Sequence, residues 1–373
     1  MKLNDFLNNK PLFYNKIDYD RMPNCWNTIK NNFKKPKKII HIIGTNGKGS
    51  TGRFLAVYLN NMGYKVGHYT SPHIQKFNER IWINGKMVND EKLEKAHQFL
   101  QNTISKKYLQ TLSYFEYTTI LAMRCFEGLD YVILEAGLGG ERDATSVFER
   151  DITLVTPIDF DHQSFLGNTI KEIATTKLNS IQNRAVIGKQ IHDEVFKLTK
   201  KYPYYIDYFD NYEIKEVREF IKKHNFASYL ADNLLLALAC VIEEGLEFNL
   251  KYLKNIKLPA RLEKIDDNLY IDVGHNPLAA RAIANEFKNQ KIDIIYNTYA
   301  DKDYKEILTI LKPIIDKLFI IEVDNERIAN IDDVMSTAKE LNINVEKFTK
   351  IRDKTTLVFG SFSVIEKFLN EKR

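Results

Sequence analysis

Ile39-Ile40-His41-Ile42-Ile43 runs directly into Gly44-Thr45-Asn46-Gly47-Lys48-Gly49-Ser50-Thr51, and an apolar-periodic stretch then continues to about Met62. The first five residues read as a buried strand and Lys48 to Met62 as a helix. Strand, glycine-rich loop and helix, in that order, form a phosphate cradle. Glycines let backbone N–H groups face an anion, and the helix N-terminus adds positive potential. Lys48 is placed to reach the β- and γ-phosphates of a nucleotide, and the Ser50 hydroxyl to face Mg²⁺. The spacing is not the usual Gly-x-x-x-x-Gly-Lys-Ser/Thr, because only Thr45 and Asn46 separate the first two glycines and Gly49 intervenes before Ser50. A ligand-free glycine turn is the alternative, and lysine, serine and threonine together argue against it.

Outward from this stretch the alternation of short apolar runs and helical periods continues. Tyr131 to Leu134, Ile152 to Thr156 and Ala185 to Ile187 read as further buried strands, and Ser228 to Glu244 as a long helix. After Leu258-Pro259-Ala260-Arg261 the pattern restarts, with strands at Leu269 to Val273, Ile292 to Tyr296, Leu318 to Val323 and Thr356 to Phe359. Helices at Leu278 to Phe287, Tyr304 to Leu311 and Ile331 to Leu341 lie between them. The fold class is therefore α/β: a P-loop-type parallel-sheet ATPase domain, then a smaller Rossmann-like α/β domain. The expected division is residues 1–255, a linker at 256–261, and residues 262–373.

A chain of 373 residues with 44% hydrophobic and 28% charged residues can bury cores of this size and is neither disordered nor fibrous. The longest apolar run, Leu234 to Ile242, is far short of the roughly 20 residues of a membrane span. Nothing at the N-terminus reads as an export signal, so a soluble, cytoplasmic protein without a membrane partner is expected. Cys25, Cys125 and Cys240 are widely spaced, which argues against a disulfide framework or a structural zinc site. The formal charge of +5 is spread along the chain, which gives no case for nucleic acid, and Lys34, Lys35, Lys37 and Lys38 read as a solvated loop.

A second constellation follows the strand at Tyr131: Glu135, then Ala136-Gly137-Leu138-Gly139-Gly140 and Glu141-Arg142-Asp143-Ala144-Thr145. In a doubly wound sheet the carboxyl ends of the strands line the ligand crevice, so Glu135 could hold a metal beside the phosphates. The strand at Ile152 leads through Pro157-Ile158-Asp159-Phe160-Asp161 to His162 at the same edge.

Taken together, these residues resemble the folylpolyglutamate synthase and dihydrofolate synthase family of the Mur ligase superfamily. Gly-Thr-Asn-Gly-Lys-Gly-Ser is the form of its phosphate loop. The resemblance extends to Tyr69-Thr70-Ser71-Pro72-His73 with Phe77-Asn78-Glu79-Arg80, to Tyr114-Phe115-Glu116-Tyr117, and to Asp161-His162 followed by Ile173-Ala174-Thr175-Thr176-Lys177. Asn233, Pro259-Ala260-Arg261, Asp272-Val273-Gly274-His275-Asn276-Pro277, Asp301-Lys302-Asp303 and Gly360-Ser361-Phe362 continue it, in order, over more than 300 residues. No single string is decisive; the joint order is.

The resemblance implies ATP-dependent amide synthesis. An acceptor carboxylate attacks the γ-phosphate, and the amine of L-glutamate then displaces phosphate from the acyl phosphate. It implies Mg²⁺ at two sites drawn from Ser50, Ser71, Glu135, His162 and Lys177, with Lys177 carbamylated. Asn233 would meet the adenine, and Arg261, Asp272 and His275 would close on the nucleotide from beyond the linker. Ser71, Pro72, His73, Ser113, Tyr114, Phe115, Glu116, Arg142, Asp143 and Ala144 would receive dihydropteroate or a reduced folate. A monomer is expected.

The sequence also departs from the family pattern. Glu141 stands where the family usually has arginine, Arg142 where it has an apolar or aromatic residue, Gly274 replaces alanine, and Ala260 replaces glycine. Two other readings compete. A cell-wall Mur ligase carries an additional N-terminal domain for its UDP sugar, and only about forty residues precede the phosphate loop here. A nucleotide switch would need a guanine-reading Asn-Lys-x-Asp, and no convincing example is found.

Overall fold

Apolar β-branched runs make the central strands of two sheets, and short stretches carrying charge make their edges. In the computed structural model, which describes residues 1–11 and 18–372, the first sheet contains β1 (Lys38–Ile43), β2 (Val66–Tyr69), β3 (Ile81–Ile83), β4 (Lys86–Met87), β5 (Tyr131–Glu135), β6 (Ile152–Val155) and β7 (Arg184–Ile187). Their spatial order is β4-β3-β2-β5-β1-β6-β7. The five strands from β2 to β7 are parallel and β3 and β4 antiparallel. Ile39, Ile40, Ile42 and Ile43 of β1 are all buried, as a central parallel strand with both faces covered requires.

That order has a direct consequence for the site. β1 lies between β5 and β6, so the loop leaving β1 at Gly44 is flanked by the loops leaving β5 at Glu135 and β6 at Val155. This is the carboxyl edge of a doubly wound sheet.

The second sheet contains β8 (Glu263–Asp266), β9 (Leu269–Asp272), β10 (Ile292–Tyr296), β11 (Ile315–Ile320), β12 (Val345–Lys347) and β13 (Thr356–Phe359), in the order β12-β11-β10-β13-β9-β8. All neighbours are parallel except β8 and β9. Its core is built around Ile294, Tyr296, Leu308, Leu318, Leu357 and Phe359. The strand expected at Leu318 to Val323 begins three residues earlier. Asp316 and Lys317 mask its start in the sequence, but Asp316 pairs with Arg352 and Lys354, and Lys317 pairs with Glu346.

One compact unit comprises Met1–Val217 and Asp232–Ile256, and the other Arg218–Ala231 and Lys257–Arg373. The chain passes from one unit to the other between Ile256 and Lys257, just before Leu258-Pro259-Ala260-Arg261. Segment 218–231, read from the sequence as part of the first domain, groups with the second unit. Tyr229 Oη donates to Asp272 Oδ2 at 2.7 Å, and Ser228 N donates to Glu286 Oε1 at 2.7 Å.

Among the described residues no helix is long and apolar enough to cross a membrane. All three cysteines are buried free thiols. The lysine cluster is engaged at the surface: Lys35 pairs with Glu149, Lys37 with Asp130, and Lys38 with Glu244.

Candidate active site

Gly44 and Gly47 adopt φ of 137° and 88°, the left-handed side of backbone space that glycine enters without steric cost. Each also admits a neighbour. A Cβ on Gly44 would lie 2.0 Å from Thr156 Oγ1, and one on Gly47 would lie 2.4 Å from Asn233 Oδ1. Asn233, buried on helix Leu230–Glu243, therefore lies against the loop. Gly47 is the N-cap of helix Lys48–Asn61 and has no side chain to cap it. The helix's first N–H groups and its dipole are thus presented to the loop, as an anion requires.

Two lysines converge on this loop. Lys48 Nζ donates to Gly44 O at 3.2 Å and to Thr45 O at 3.0 Å. Lys177, on helix Ile170–Leu178, is 3% exposed and its Nζ donates to Gly44 O at 2.9 Å. Burial and the neighbouring Lys48 ammonium bring the Lys177 amine down to about 7, against the opposing pull of Asp161 and Asp143.

Ser50 is buried at the start of the same helix, and its Oγ makes no hydrogen bond in the fold. A buried hydroxyl without a partner is costly unless a ligand completes it, so Ser50 suits a cation. Glu135 ends β5 and is 6% exposed; Thr70 Oγ1 and Ser71 N, from the end of β2, both donate to its Oε2. His162 leaves β6 with φ 50°, and its N donates to Asp161 Oδ1 at 3.0 Å. Among the described residues no three or more His, Cys, Asp or Glu side chains gather as a metal cage. The sequence candidates are instead the hydroxyls of Ser50 and Ser71, one carboxylate, one imidazole and the Lys177 amine, carried on separate elements. Such a sparse set suits Mg²⁺, which keeps water and phosphate oxygens among its ligands.

The other sequence candidates fall in separate groups. In the loop that starts at Ser71 and Pro72, Glu79 accepts from Ile74 N, Gln75 N and Lys76 N at 2.7 to 2.9 Å and so fixes its later half. Arg80 Nε donates to His73 Nδ1 at 2.8 Å and its guanidinium lies 5.2 Å from the Tyr114 ring centroid. Burial and Arg80 push His73 down to about 4, so its ring is neutral at ordinary pH.

Ser113 and Glu116 form a capping box on helix Tyr114–Cys125, and Arg21 Nε donates to Glu116 Oε2 at 2.8 Å. Glu116 thus has structural partners already. Phe115 stacks on Tyr69 at 5.9 Å, and both Tyr114 and Phe115 are only half-buried. Asp143 is turned inward: it accepts from Gly137 N, Leu138 N and Thr145 N at 2.8 to 3.0 Å and orders the glycine loop after Glu135. Ala144 is buried beside it, whereas Arg142 is exposed and lies over Tyr19.

In the second unit, Asp272 accepts from Tyr229 Oη, Leu262 N and Gly274 N, and burial raises its carboxyl above the usual range. Arg261 lies 5.7 Å from the Phe362 ring, and His275 Nδ1 bonds Val273 O at 3.0 Å.

Gln190 and His192 had no sequence signal as site residues. Their hydrogen bonds to Ile158 and Asp159 arise because β6 pairs with β7.

Comparison with known proteins decides the family. A dihydrofolate synthase/folylpolyglutamate synthase of Buchnera aphidicola (subspecies Baizongia pistaciae) is 32% identical over 384 aligned positions, covering 91% of this chain and 88% of that protein. The chain belongs to the dihydrofolate synthase/folylpolyglutamate synthase family. The crystal structure of Helicobacter pylori folylpolyglutamate synthetase is 36% identical, with a TM-score of 0.78, and the match covers 99% and 97% of the two chains. The Yersinia pestis bifunctional synthase, solved with AMPPNP and a manganese ion, shares the fold at TM-score 0.82 and 23% identity, over 99% and 97% of the two chains. No family model matches the chain.

Proposed function

We infer that the protein is an ATP-dependent ligase that adds L-glutamate to dihydropteroate, to reduced folates, or to both. Family membership supplies the reaction class. The observation that carries the reading to residues is the convergence of Lys48 and Lys177 on Gly44 O, inside a loop flanked by Glu135 and His162.

A carboxylate is a poor acylating agent, and bringing it to ATP sets like charges together. Lys48, the loop N–H groups and the helix N-terminus answer that repulsion at the phosphates. The acceptor carboxylate attacks the γ-phosphorus and ADP leaves; the glutamate amine then attacks the acyl carbon and phosphate leaves. Ser50, Glu135 and His162 are the residues that would hold a divalent cation, with Ser71 and Lys177 beside them. The cation supplies charge neutralisation for the transferring phosphoryl group.

Lys177 is suited to carbamylation, because an amine near 7 is substantially uncharged at neutral pH and can attack CO₂. The acceptor's flat ring fits the half-buried aromatic group of Tyr114 and Phe115 near Ser71, Pro72 and His73. Asn233, against Gly47, is the candidate for the adenine. The reading is tested by phosphate release: it requires both glutamate and a pteroate-type acceptor, and a nucleotide switch would release phosphate without either.

A further inference from the structure

The phosphate loop is buttoned to a neighbouring segment. Thr45 N donates to Pro157 O at 2.7 Å, Thr45 Oγ1 donates to Asp159 O at 3.0 Å, and Asp159 N donates back to Thr45 Oγ1 at 3.0 Å. One buried hydroxyl thus ties the second residue of the loop to the strand exit that leads to His162.

That exit is gripped in turn by the chain leaving β7. Gln190, 6% exposed, accepts from Ile158 N at 3.0 Å, while its amide nitrogen donates to Thr156 O and Gly188 O at 3.2 Å each. His192 Nε2 lies 2.9 Å from Asp159 Oδ1; a carboxylate oxygen accepts, so Nε2 carries the proton. The same Oδ1 accepts from Phe160 N at 2.8 Å. Asp159 is 4% exposed, so donors such as these offset the cost of burying its carboxylate.

We propose that Gln190 and His192 are positioning residues for the nucleotide phosphates, acting through Asp159 and Thr45. The proposal rests on the reading that Gly44 to Thr51 holds those phosphates. The apolar cluster beneath, with Ile43, Val155, Ile158, Ile187 and Val195, packs without the imidazole, whose side chain is 26% exposed. The imidazole's contacts are the Asp159 carboxylate and the Phe160 ring, at the edge of that cluster, so its loss acts on the Asp159 segment rather than on the core. Loop N–H groups must meet phosphate oxygens within a few tenths of an ångström to be effective, so a small release of Asp159 registers first in nucleotide binding.

The test compares His192→Leu, which removes the donor, with His192→Gln, whose amide N–H reaches about as far as Nε2. Both are made in the full chain, and KM for ATP, KM for dihydropteroate, kcat, melting temperature and ADP affinity by calorimetry are measured. His192→Leu should raise KM for ATP and weaken ADP about tenfold while leaving KM for dihydropteroate within about twofold. His192→Gln should recover most of the loss. If the leucine variant does not fold, His192→Asn, too short to reach Asp159, carries the same expectation.

Unchanged ATP and ADP binding in a folded variant overturns the proposal. So does an equal rise in both KM values that tracks a fall in melting temperature. Lys48→Ala separates the two levels: if it binds ADP as tightly as the wild type, the phosphate-loop reading fails. If it loses ADP while His192→Leu does not, only the positioning role fails.

Discussion

Lys48 and Lys177 donate to a single acceptor, the carbonyl oxygen of Gly44, at 3.2 and 2.9 Å. Burial first, and repulsion by the Lys48 ammonium second, make the Lys177 amine lose its proton more easily. The loop thus gathers two lysine side chains on one carbonyl, one of them buried with its amine pKa lowered.

On the proposed mechanism, Lys48→Ala removes the charge that would meet the transferring phosphoryl group. Ligation should fall by at least a hundredfold, about 3 kcal/mol in the transition state, with an unchanged circular dichroism spectrum. Ligation at the wild-type rate by the folded variant would displace the phosphate loop from the mechanism.

Lys177→Met should be inactive yet more stable than the wild type near neutral pH. The folded lysine value, about 7, lies below its ordinary 10.5. Between these values the unfolded chain binds more protons than the folded one, so wild-type stability rises with pH across that window. Below about 7 both states are protonated and the full cost of burying the ammonium is present. Melting temperatures at stepped pH in CO₂-free buffer check this: the gap between variant and wild type should be widest at the acid end and close toward pH 10.

Glu135→Gln keeps an acceptor for Thr70 and Ser71 N but removes the charge. Binding of Mn²⁺ in the presence of ADP, followed by electron paramagnetic resonance, should weaken by at least tenfold while the melting temperature stays within a few degrees. Unaltered Mn²⁺ binding would move the cation away from β5.

The central strands and the phosphate loop were legible because apolar runs such as Ile39 to Ile43 and Ile292 to Tyr296 are buried on both faces and end in turn residues. β2 was not legible, since Val66-Gly67-His68-Tyr69 puts a glycine and a histidine into a four-residue strand. Gly67 is there for space: a Cβ would lie 2.4 Å from Phe126 Cδ1. The edge strands β4, β8 and β12 carry Lys86, Glu263 and Lys264, and Glu346, and charge on an edge strand hides the apolar alternation that would reveal it. Within the candidate site, Gly44, Lys48 and Ser50 could be read from one contiguous string. Gln190 and His192 could not, because their partners are about 30 residues away and only the pairing of β6 with β7 brings them together.

Glu116 accepts from Ser113 N and from Arg21 Nε, with both charged side chains largely buried. Glu116→Ala should therefore cost about 3 kcal/mol of stability, through the lost cap and an uncompensated Arg21. Urea denaturation measures it, and a loss below about 0.5 kcal/mol would show that the carboxylate is not structural.

The mass of the product formed from dihydropteroate, L-glutamate, ATP and Mg²⁺ tests the central claim most directly. The account predicts an adduct of one glutamate joined with loss of water, with one ADP and one phosphate released per adduct, and the same outcome or further additions when a reduced folate replaces dihydropteroate. Absence of any glutamate adduct on both acceptors, with an amino acid joined instead to a UDP-muramyl substrate, would contradict it.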